Sequence, residues 1–227
     1  MSETITFQRP DGKDCRGYYA EPAAGPNAPG MVVIQEWWGL NGQIKGVANR
    51  LAEAGYRALV PDLYRGKVGV EVKEAEHLMN NLDFGDAAGQ DIRGAVQYLK
   101  ASSGKAGVTG FCMGGALTLL SSVHVPEAEA FVSWYGFPPL EYIDATKIKA
   151  PVQGHWAIDD AFFKIQQVDD LEQKFKEAGV NYEFHRYKAQ HAFANETAVN
   201  MPIPAQYDPA SAELAWRRMI EFLKMNL

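Results

Sequence analysis

Short apolar runs of strand length alternate with stretches of helical periodicity along this chain, and this alternation constrains its fold most strongly. Residues 31–34 (Met-Val-Val-Ile) form a continuous apolar run that is typical of a buried strand. The following segment places apolar residues on one helical face, at Ile44, Val47, Ala48 and Leu51. The repeated alternation predicts an α/β fold with a mostly parallel central sheet flanked by helices on both faces. In such a fold, functional sites form at the carboxyl ends of the strands.

The remaining elements follow the same alternation. An Asp-Gly turn predicts an N-terminal β-hairpin over about residues 4–19. Asp86 is expected to cap a helix, and the last helix is expected to pair Glu213 with Arg217. Further strands are predicted at residues 57–60, 106–110, 131–135, 152–156 and 182–187, and further helices at residues 72–79, 162–178 and 210–225.

Composition narrows the class of protein. The 227 residues suit one α/β domain over residues 1–227. The chain carries 22 basic and 28 acidic residues with no basic run, which argues against nucleic acid and membrane surfaces as partners. Two distant cysteines form neither a disulfide framework nor a metal site, and the N-terminus lacks the features of a signal peptide. We therefore expect a cytoplasmic protein without cofactor or metal, monomeric or a weak homo-oligomer.

A cysteine stands where a strand gives way to a helix, in the sequence Gly-Phe-Cys-Met-Gly at residues 110–114. This is the nucleophile-elbow pattern with Cys112 in the place of serine, where the glycines allow a sharp turn between the strand and the helix. The helix that begins at Met113 directs its amide dipoles at the sulfur. A buried structural cysteine is the alternative, and it remains the interpretation for Cys15, which has no such context.

A nucleophilic thiol needs a base, and the base needs an acid to orient it. In the elbow fold the order along the chain is nucleophile, acid, base. His191 lies on a loop after the final predicted strand and is the histidine that fits the base. Two carboxylates, Asp159 and Asp160, follow the strand that ends at Trp156, and the pattern by itself leaves the choice between them open.

Several segments together resemble the dienelactone hydrolase family of α/β-hydrolases over nearly the whole chain. They are Gln-Glu-Trp-Trp-Gly-Leu-Asn at 35–41, Pro-Asp-Leu-Tyr at 61–64, Gly-Phe-Cys-Met-Gly-Gly at 110–115, the stretch 155–162, His-Ala-Phe at 191–193, and Tyr-Asp-Pro at 207–209 with the later Ala-Trp at 215–216.

The resemblance implies a triad of Cys112, Asp160 and His191 in an α/β-hydrolase fold. It also implies that Glu36 reaches the thiol. In that scheme the resting thiol is protonated and held away from His191, and arriving substrate displaces the carboxylate, which then takes the thiol proton. A carboxylate close to sulfur opposes thiolate formation, and a neutral thiol oxidises more slowly than a thiolate. A salt-bridged strand-end carboxylate is the alternative for Glu36.

The activity that the resemblance implies is hydrolysis of a dienelactone-like enol lactone or an activated ester, as in the degradation of aromatic compounds. The oxyanion would meet the N–H groups of Met113, after the nucleophile, and, by resemblance, of Trp37. His191 would activate water to hydrolyse the thioester. The alternative is a thioesterase or acyltransferase that uses the same triad on another small acyl substrate.

Specificity is where the sequence departs from the family. The family clamps a substrate carboxylate with arginines, but residues 194–196 read Ala-Asn-Glu and residues 74–81 contain no arginine. Arg65 and Lys73 are nearby cations that could substitute, with a solvated surface charge as the alternative for both. Aromatic residues near strand ends are the other candidates for contact with substrate, namely Trp38, Tyr64 and Phe193.

Overall fold

A computed structural model describes all residues, 1–227, and contains one sheet of eight strands. The strands are β1 (Ser2–Gln8), β2 (Asp14–Ala20), β3 (Gly30–Ile34), β4 (Arg57–Pro61), β5 (Ala106–Phe111), β6 (Phe131–Trp134), β7 (Val152–Ala157) and β8 (Tyr182–Tyr187). Their order across the sheet is β1-β2-β4-β3-β5-β6-β7-β8. The β1–β2 and β2–β4 pairs are antiparallel and all others are parallel, so the predicted N-terminal hairpin and mostly parallel sheet are confirmed.

The strand order places a switch point at β3. The chain passes from β3 to β4 on one side and later returns to β5 on the other side, with Ile34 beside Gly110 at the carboxyl ends of β3 and β5. Ligands of open α/β sheets bind in the crevice outside such a point. The segments that follow these two strands therefore begin side by side at one edge of the sheet.

The helices connect the strands and begin and end close to the predicted residues. They are α1 (Gly42–Glu53), α2 (Val72–Asn80), α3 (Phe84–Asp86), α4 (Arg93–Ser103), α5 (Met113–His124), α6 (Ile165–Ala178) and α7 (Pro209–Asn226), with a π-helical segment at Ala87–Ile92 between α3 and α4. The predicted cap at Asp86 is wrong: Asp83 accepts the N–H of Asp86 and begins the helix earlier. No helix combines the length and the apolar character needed to cross a membrane.

Two other local predictions are corrected. Helix α6 begins at Ile165 rather than at 162, because the N–H groups of Phe162 and Phe163 donate to the carboxylate of Asp160 and hold those residues in a loop. Glu213 pairs with Arg50 of α1 at 2.5 Å instead of with a residue of its own helix. A tertiary partner thus replaces the pairing within the helix that sequence spacing suggested.

Buried apolar side chains form one cluster on each face of the sheet. Successive residues of β3 point to opposite faces, so Val32 and Ile34 belong to one cluster while Met31 and Val33 belong to the other. Helices α4, α5 and α6 cover the first face, and α1 and α7 cover the second. All five strands from β3 to β7 are fully buried, which holds their carboxyl ends in fixed relative positions.

Candidate active site

Cys112 lies at the tight turn between β5 and α5. Its backbone has φ 55° and ψ −117°, a conformation that a residue with a side chain adopts only when its surroundings enforce it. A Cβ on Gly110 would lie 2.2 Å from the carbonyl oxygen of Gly114, and a Cβ on Gly114 would lie 2.5 Å from that of Ile34. Both positions thus require glycine because the turn approaches the helix and the neighbouring strand closely, which agrees with the sharp turn predicted for this motif. Cys112 is partly exposed, whereas Cys15 is buried.

Asp160 and His191 meet beside this turn. Asp160 follows β7, and its Oδ2 lies 2.8 Å from Nδ1 of His191 on the loop after β8. Oδ1 accepts the N–H groups of Phe162 at 2.8 Å and Phe163 at 2.9 Å, so the carboxylate is fixed. Asp159, the alternative acid, instead pairs with Lys188 at the surface. The geometry therefore brings Asp160, and not Asp159, to the imidazole.

The imidazole of His191 is buried between charges that favour its protonation. Burial opposes the protonated form, but the nearby sulfur of Cys112, when ionised, and the carboxylate of Asp160 outweigh it and raise the pKa of His191 to about 10. The rings of Phe162 and Phe163 pack against the imidazole at centroid distances of 4.9 and 5.6 Å. The sulfur of Cys112 thus lies within electrostatic reach of an oriented imidazole.

Glu36 is buried directly after β3, and both of its carboxylate oxygens have partners. Oε1 accepts the hydroxyl of Tyr135 at 3.2 Å, and Oε2 accepts the amide Nδ2 of Asn195 at 2.7 Å. Burial raises the pKa of Glu36, whereas the nearby charge of His191 and these two hydrogen bonds lower it. Neither oxygen of Glu36 has a hydrogen bond to the sulfur of Cys112, so the approach of Glu36 to the thiol that the resemblance implies stays a prediction.

Tyr135 and Asn195 are functional candidates that the sequence analysis missed. Tyr135 follows β6 at φ 37°, and its ring packs edge-on against His191 at a centroid distance of 5.2 Å. Asn195 is oriented without ambiguity, because its Oδ1 accepts the N–H and the hydroxyl of Thr197 and leaves Nδ2 to face Glu36. The position of Asn195, four residues after His191 in the same loop, was a signal that could have found it.

Backbone N–H groups are available beside the sulfur. Met113 is the first residue of α5, and Trp37 follows Glu36 at the neighbouring strand end. Neither N–H takes part in a turn, loop or cap hydrogen bond. Both residues line the same cavity as Cys112 and His191. This arrangement is suited to hold a negative oxygen.

The cavity has a volume of about 630 Å³ and is mainly apolar, since sixteen of its twenty-three lining residues are hydrophobic. Trp38 lines it, as expected. Tyr64 and Phe193 do not. The Tyr64 hydroxyl is 3.2 Å from Sδ of Met113, behind the elbow, and Phe193 is fully buried among the rings of Trp134, Tyr135 and Tyr187. The expectation that Tyr64 and Phe193 contact substrate is therefore corrected.

Arg65 does not line the cavity either, and its expected contact with substrate is also corrected. Its guanidinium donates to both carboxylate oxygens of Asp91 at 2.8 Å and to the carbonyl of Asp62. Asp91 is buried, and this bidentate pairing holds the charge of Arg65 outside the lining of the cavity. No lysine or arginine is among the residues that line the cavity.

The mostly parallel sheet, its switch point and the tight turn at Cys112 define an α/β hydrolase. A protein of Klebsiella pneumoniae whose crystal structure is described as that of a "Putative Dienelactone Hydrolase" superposes with a TM-score of 0.80 at 25% identity, over 97% of this chain and 98% of that one. A dienelactone hydrolase-like promiscuous phosphotriesterase from metagenomic libraries has the same fold, with a TM-score of 0.83 at 24% identity over 99% of this chain and 98% of that one.

Sequence comparison gives the family. The model of the dienelactone hydrolase family matches residues 15–227. "Protein usf" of Aquifex pyrophilus is 35% identical, and a "Putative carboxymethylenebutenolidase" of Aquifex aeolicus is 31% identical, each over the full length of both chains. The chain belongs to the dienelactone hydrolase family and is a carboxylic ester or lactone hydrolase, as the resemblance implied.

Proposed function

We propose that this protein hydrolyses a lactone or activated ester through a Cys112–His191–Asp160 triad and a thioester acyl-enzyme. The observation that carries the proposal is the 2.8 Å hydrogen bond between Asp160 and His191, whose imidazole lines the same cavity as Cys112. An imidazole with one nitrogen held by a buried carboxylate has its other nitrogen free for proton transfer. The hydrogen bond between Asp160 and His191, with Cys112 and His191 lining one cavity, supports the proposed roles of the three groups in nucleophilic catalysis.

The proposed reaction has two halves. The imidazole of His191 takes the proton of the Cys112 thiol as the sulfur attacks the carbonyl carbon, and the N–H groups of Met113 and Trp37 stabilise the oxyanion. Collapse of this intermediate breaks the ester bond, and the imidazolium of His191 gives its proton to the departing oxygen, which stays tethered when the substrate is a lactone. His191 then takes a proton from water, which attacks the thioester, and as the C–S bond breaks and the acid is released the imidazolium returns that proton to the sulfur of Cys112. Because a thiolate is easily oxidised, this chemistry suits a reducing compartment such as the cytoplasm.

Glu36 has a proposed role in controlling the protonation of this site. Before it could take the thiol proton, its carboxylate would have to leave Tyr135 and Asn195, since both oxygens accept hydrogen bonds from them. A buried negative charge beside His191 also favours the imidazolium over the neutral base. We therefore expect Glu36→Gln to change the rate at which iodoacetamide alkylates Cys112, and an unchanged rate across pH would remove Glu36 from the proposal.

Hydrolysis of p-nitrophenyl acetate tests the triad. We expect Cys112→Ala to abolish turnover, and His191→Gln to slow both the release of p-nitrophenolate and the hydrolysis of the thioester, because the thiol and the attacking water then both lack their base. Cys15→Ala is the matched control, since that thiol is buried away from the cavity, and it should turn over substrate at the wild-type rate. Equal turnover by Cys112→Ala and wild type would overturn the proposal.

A further inference from the structure

The charge inside the cavity points to a substrate class. Glu36 is the only acid among the lining residues, and no lysine or arginine accompanies it. The partners of Glu36 are the uncharged donors Tyr135 and Asn195. Glu36 therefore has no paired cation that could bind a negatively charged ligand instead. The imidazole of His191 is already paired with Asp160. A carboxylate on the substrate would thus lose water without gaining a counter-charge.

The walls that continue from the catalytic centre are apolar. They include Met79, Phe84, Leu120 and Phe137, which come from different elements and converge on one space. The volume of about 630 Å³ exceeds what a small polar acid needs and falls in the range of sites for larger organic ligands. Burial of apolar groups against such walls is the main attraction that this cavity can offer a ligand.

The mouth of the cavity is apolar as well. Phe162 and Tyr142 both line the cavity, and they remain 46% and 61% exposed. Large aromatic side chains left open to water beside an apolar cavity mark a place where an apolar ligand enters or is covered. His124, at the carboxyl end of α5, is the one lining side chain outside the triad that could become positively charged.

Together these observations identify the chemistry of the acyl group. We propose that the cavity accepts an uncharged, predominantly apolar acyl group, so that the substrate is a neutral ester or lactone and not one that carries a carboxylate. This inference rests on the proposed function, because it places the scissile carbonyl at Cys112. The apolar walls then hold the acyl chain, and the absence of an unpaired cation rejects its charged analogue, since the imidazole of His191 is already paired with Asp160.

Three p-nitrophenyl esters test the inference: the hexanoate, the adipate monoester with a free terminal carboxylate, and the methyl ester of that adipate. They share the leaving group, and the last two differ mainly in charge. We expect kcat/KM for the free carboxylate to be about 10- to 100-fold below that of the methyl ester, because a charge buried without a partner is costly. Equal or higher kcat/KM for the carboxylate would overturn the inference.

Two arginine variants test whether the difference in kcat/KM between the adipate monoester and its methyl ester depends on charge at the cavity. Tyr142→Arg adds a cation at the mouth of the cavity and should narrow the gap between the adipate monoester and its methyl ester. Met225→Arg is the matched control, since Met225 is 71% exposed near the end of α7 and does not line the cavity, and it should leave the gap unchanged. Equal effects of the two arginines would contradict the argument.

His124→Gln should also leave the gap in kcat/KM between the adipate monoester and its methyl ester unchanged, and a wider gap would show that His124 recognises carboxylates.

The same assay keeps the inference apart from the proposed function. Turnover that depends on Cys112 but favours the free carboxylate would overturn the inference alone. If Cys112→Ala hydrolysed all three esters like wild type, the proposed function would fall and the inference with it. Turnover that is lost in Cys112→Ala and favours the neutral esters in wild type supports both.

Discussion

At the scale of single residues, neighbouring carboxylates have different environments because only one of them is turned inward. Asp160 is buried and accepts hydrogen bonds from two backbone N–H groups and from the imidazole of His191. Asp159 is exposed and faces Lys188, an ion pair of the kind that contributes little to stability. One position in the sequence therefore separates an orienting group from a solvated charge.

Replacing each carboxylate tests this difference. Asp160→Asn should lower kcat/KM for p-nitrophenyl acetate by about 10²- to 10⁴-fold, because the amide can hold the imidazole in the wrong tautomer and cannot stabilise the imidazolium. Asp159→Asn is the matched control and should keep wild-type kcat/KM. A larger loss in Asp159→Asn than in Asp160→Asn would contradict the assignment of the acid.

At the scale of elements, the turn between β5 and α5 is possible only because backbone segments approach each other closely. The carbonyls of Gly114 and Ile34 occupy the space where side chains at Gly110 and Gly114 would stand. Cys112 is held at a positive φ by these contacts and by its own backbone N–H, which donates to the carbonyl of Trp134. The position of the sulfur is thus a property of two strands and one helix together.

Filling this space should unfold the turn. Gly110→Ala would place a methyl group 2.2 Å from a backbone oxygen, and we expect the free energy of unfolding in urea to fall by about 3 kcal/mol or more. Gly42→Ala at the start of α1 is the control, because nothing lies within 4 Å of the added carbon, and it should be neutral or stabilise by up to about 1 kcal/mol. Similar stability of Gly110→Ala and wild type would contradict the argument.

At the scale of the whole molecule, a buried carboxylate connects the N-terminal hairpin to the parallel sheet and its helices. Asp91, in the π-helical segment, accepts hydrogen bonds from Arg9, which follows β1, and from Arg65, which follows β4. Arg9 also pairs with Asp11 and Asp86. Arg65 thus has a structural role in the network that joins distant parts of the chain.

Arg65→Met should therefore separate stability from catalysis. We expect the free energy of unfolding to fall by about 1–3 kcal/mol, because a buried carboxylate loses a bidentate partner but keeps Arg9. KM and kcat for neutral esters should stay at their wild-type values, since Arg65 does not line the cavity. A raised KM with an unchanged free energy of unfolding would instead show that Arg65 contacts the substrate.

Local patterns were sufficient to predict the elements of this fold and the best candidates for the triad. Strand runs and the glycine-flanked Cys112 depend on contacts within a few residues, and the structure agrees with both of these local predictions. His191 was identified by its place after the last strand. These features could be read from the chain because short-range sterics and periodicity decide them.

The sequence by itself determined the alternation of strands and helices, and with it the sheet edge at which chemistry could occur. Spacing left Asp159 and Asp160 open and the family resemblance implied Asp160, which the structure places at His191. Only the tertiary structure decided the other partners: Asn195 and Tyr135 at Glu36, and Arg65 at Asp91 instead of the cavity. The spacing of residues along the chain determines at which point of a strand, helix or loop a side chain is attached. Its partner is chosen by burial and charge from residues far away in the chain, and no local pattern records that choice.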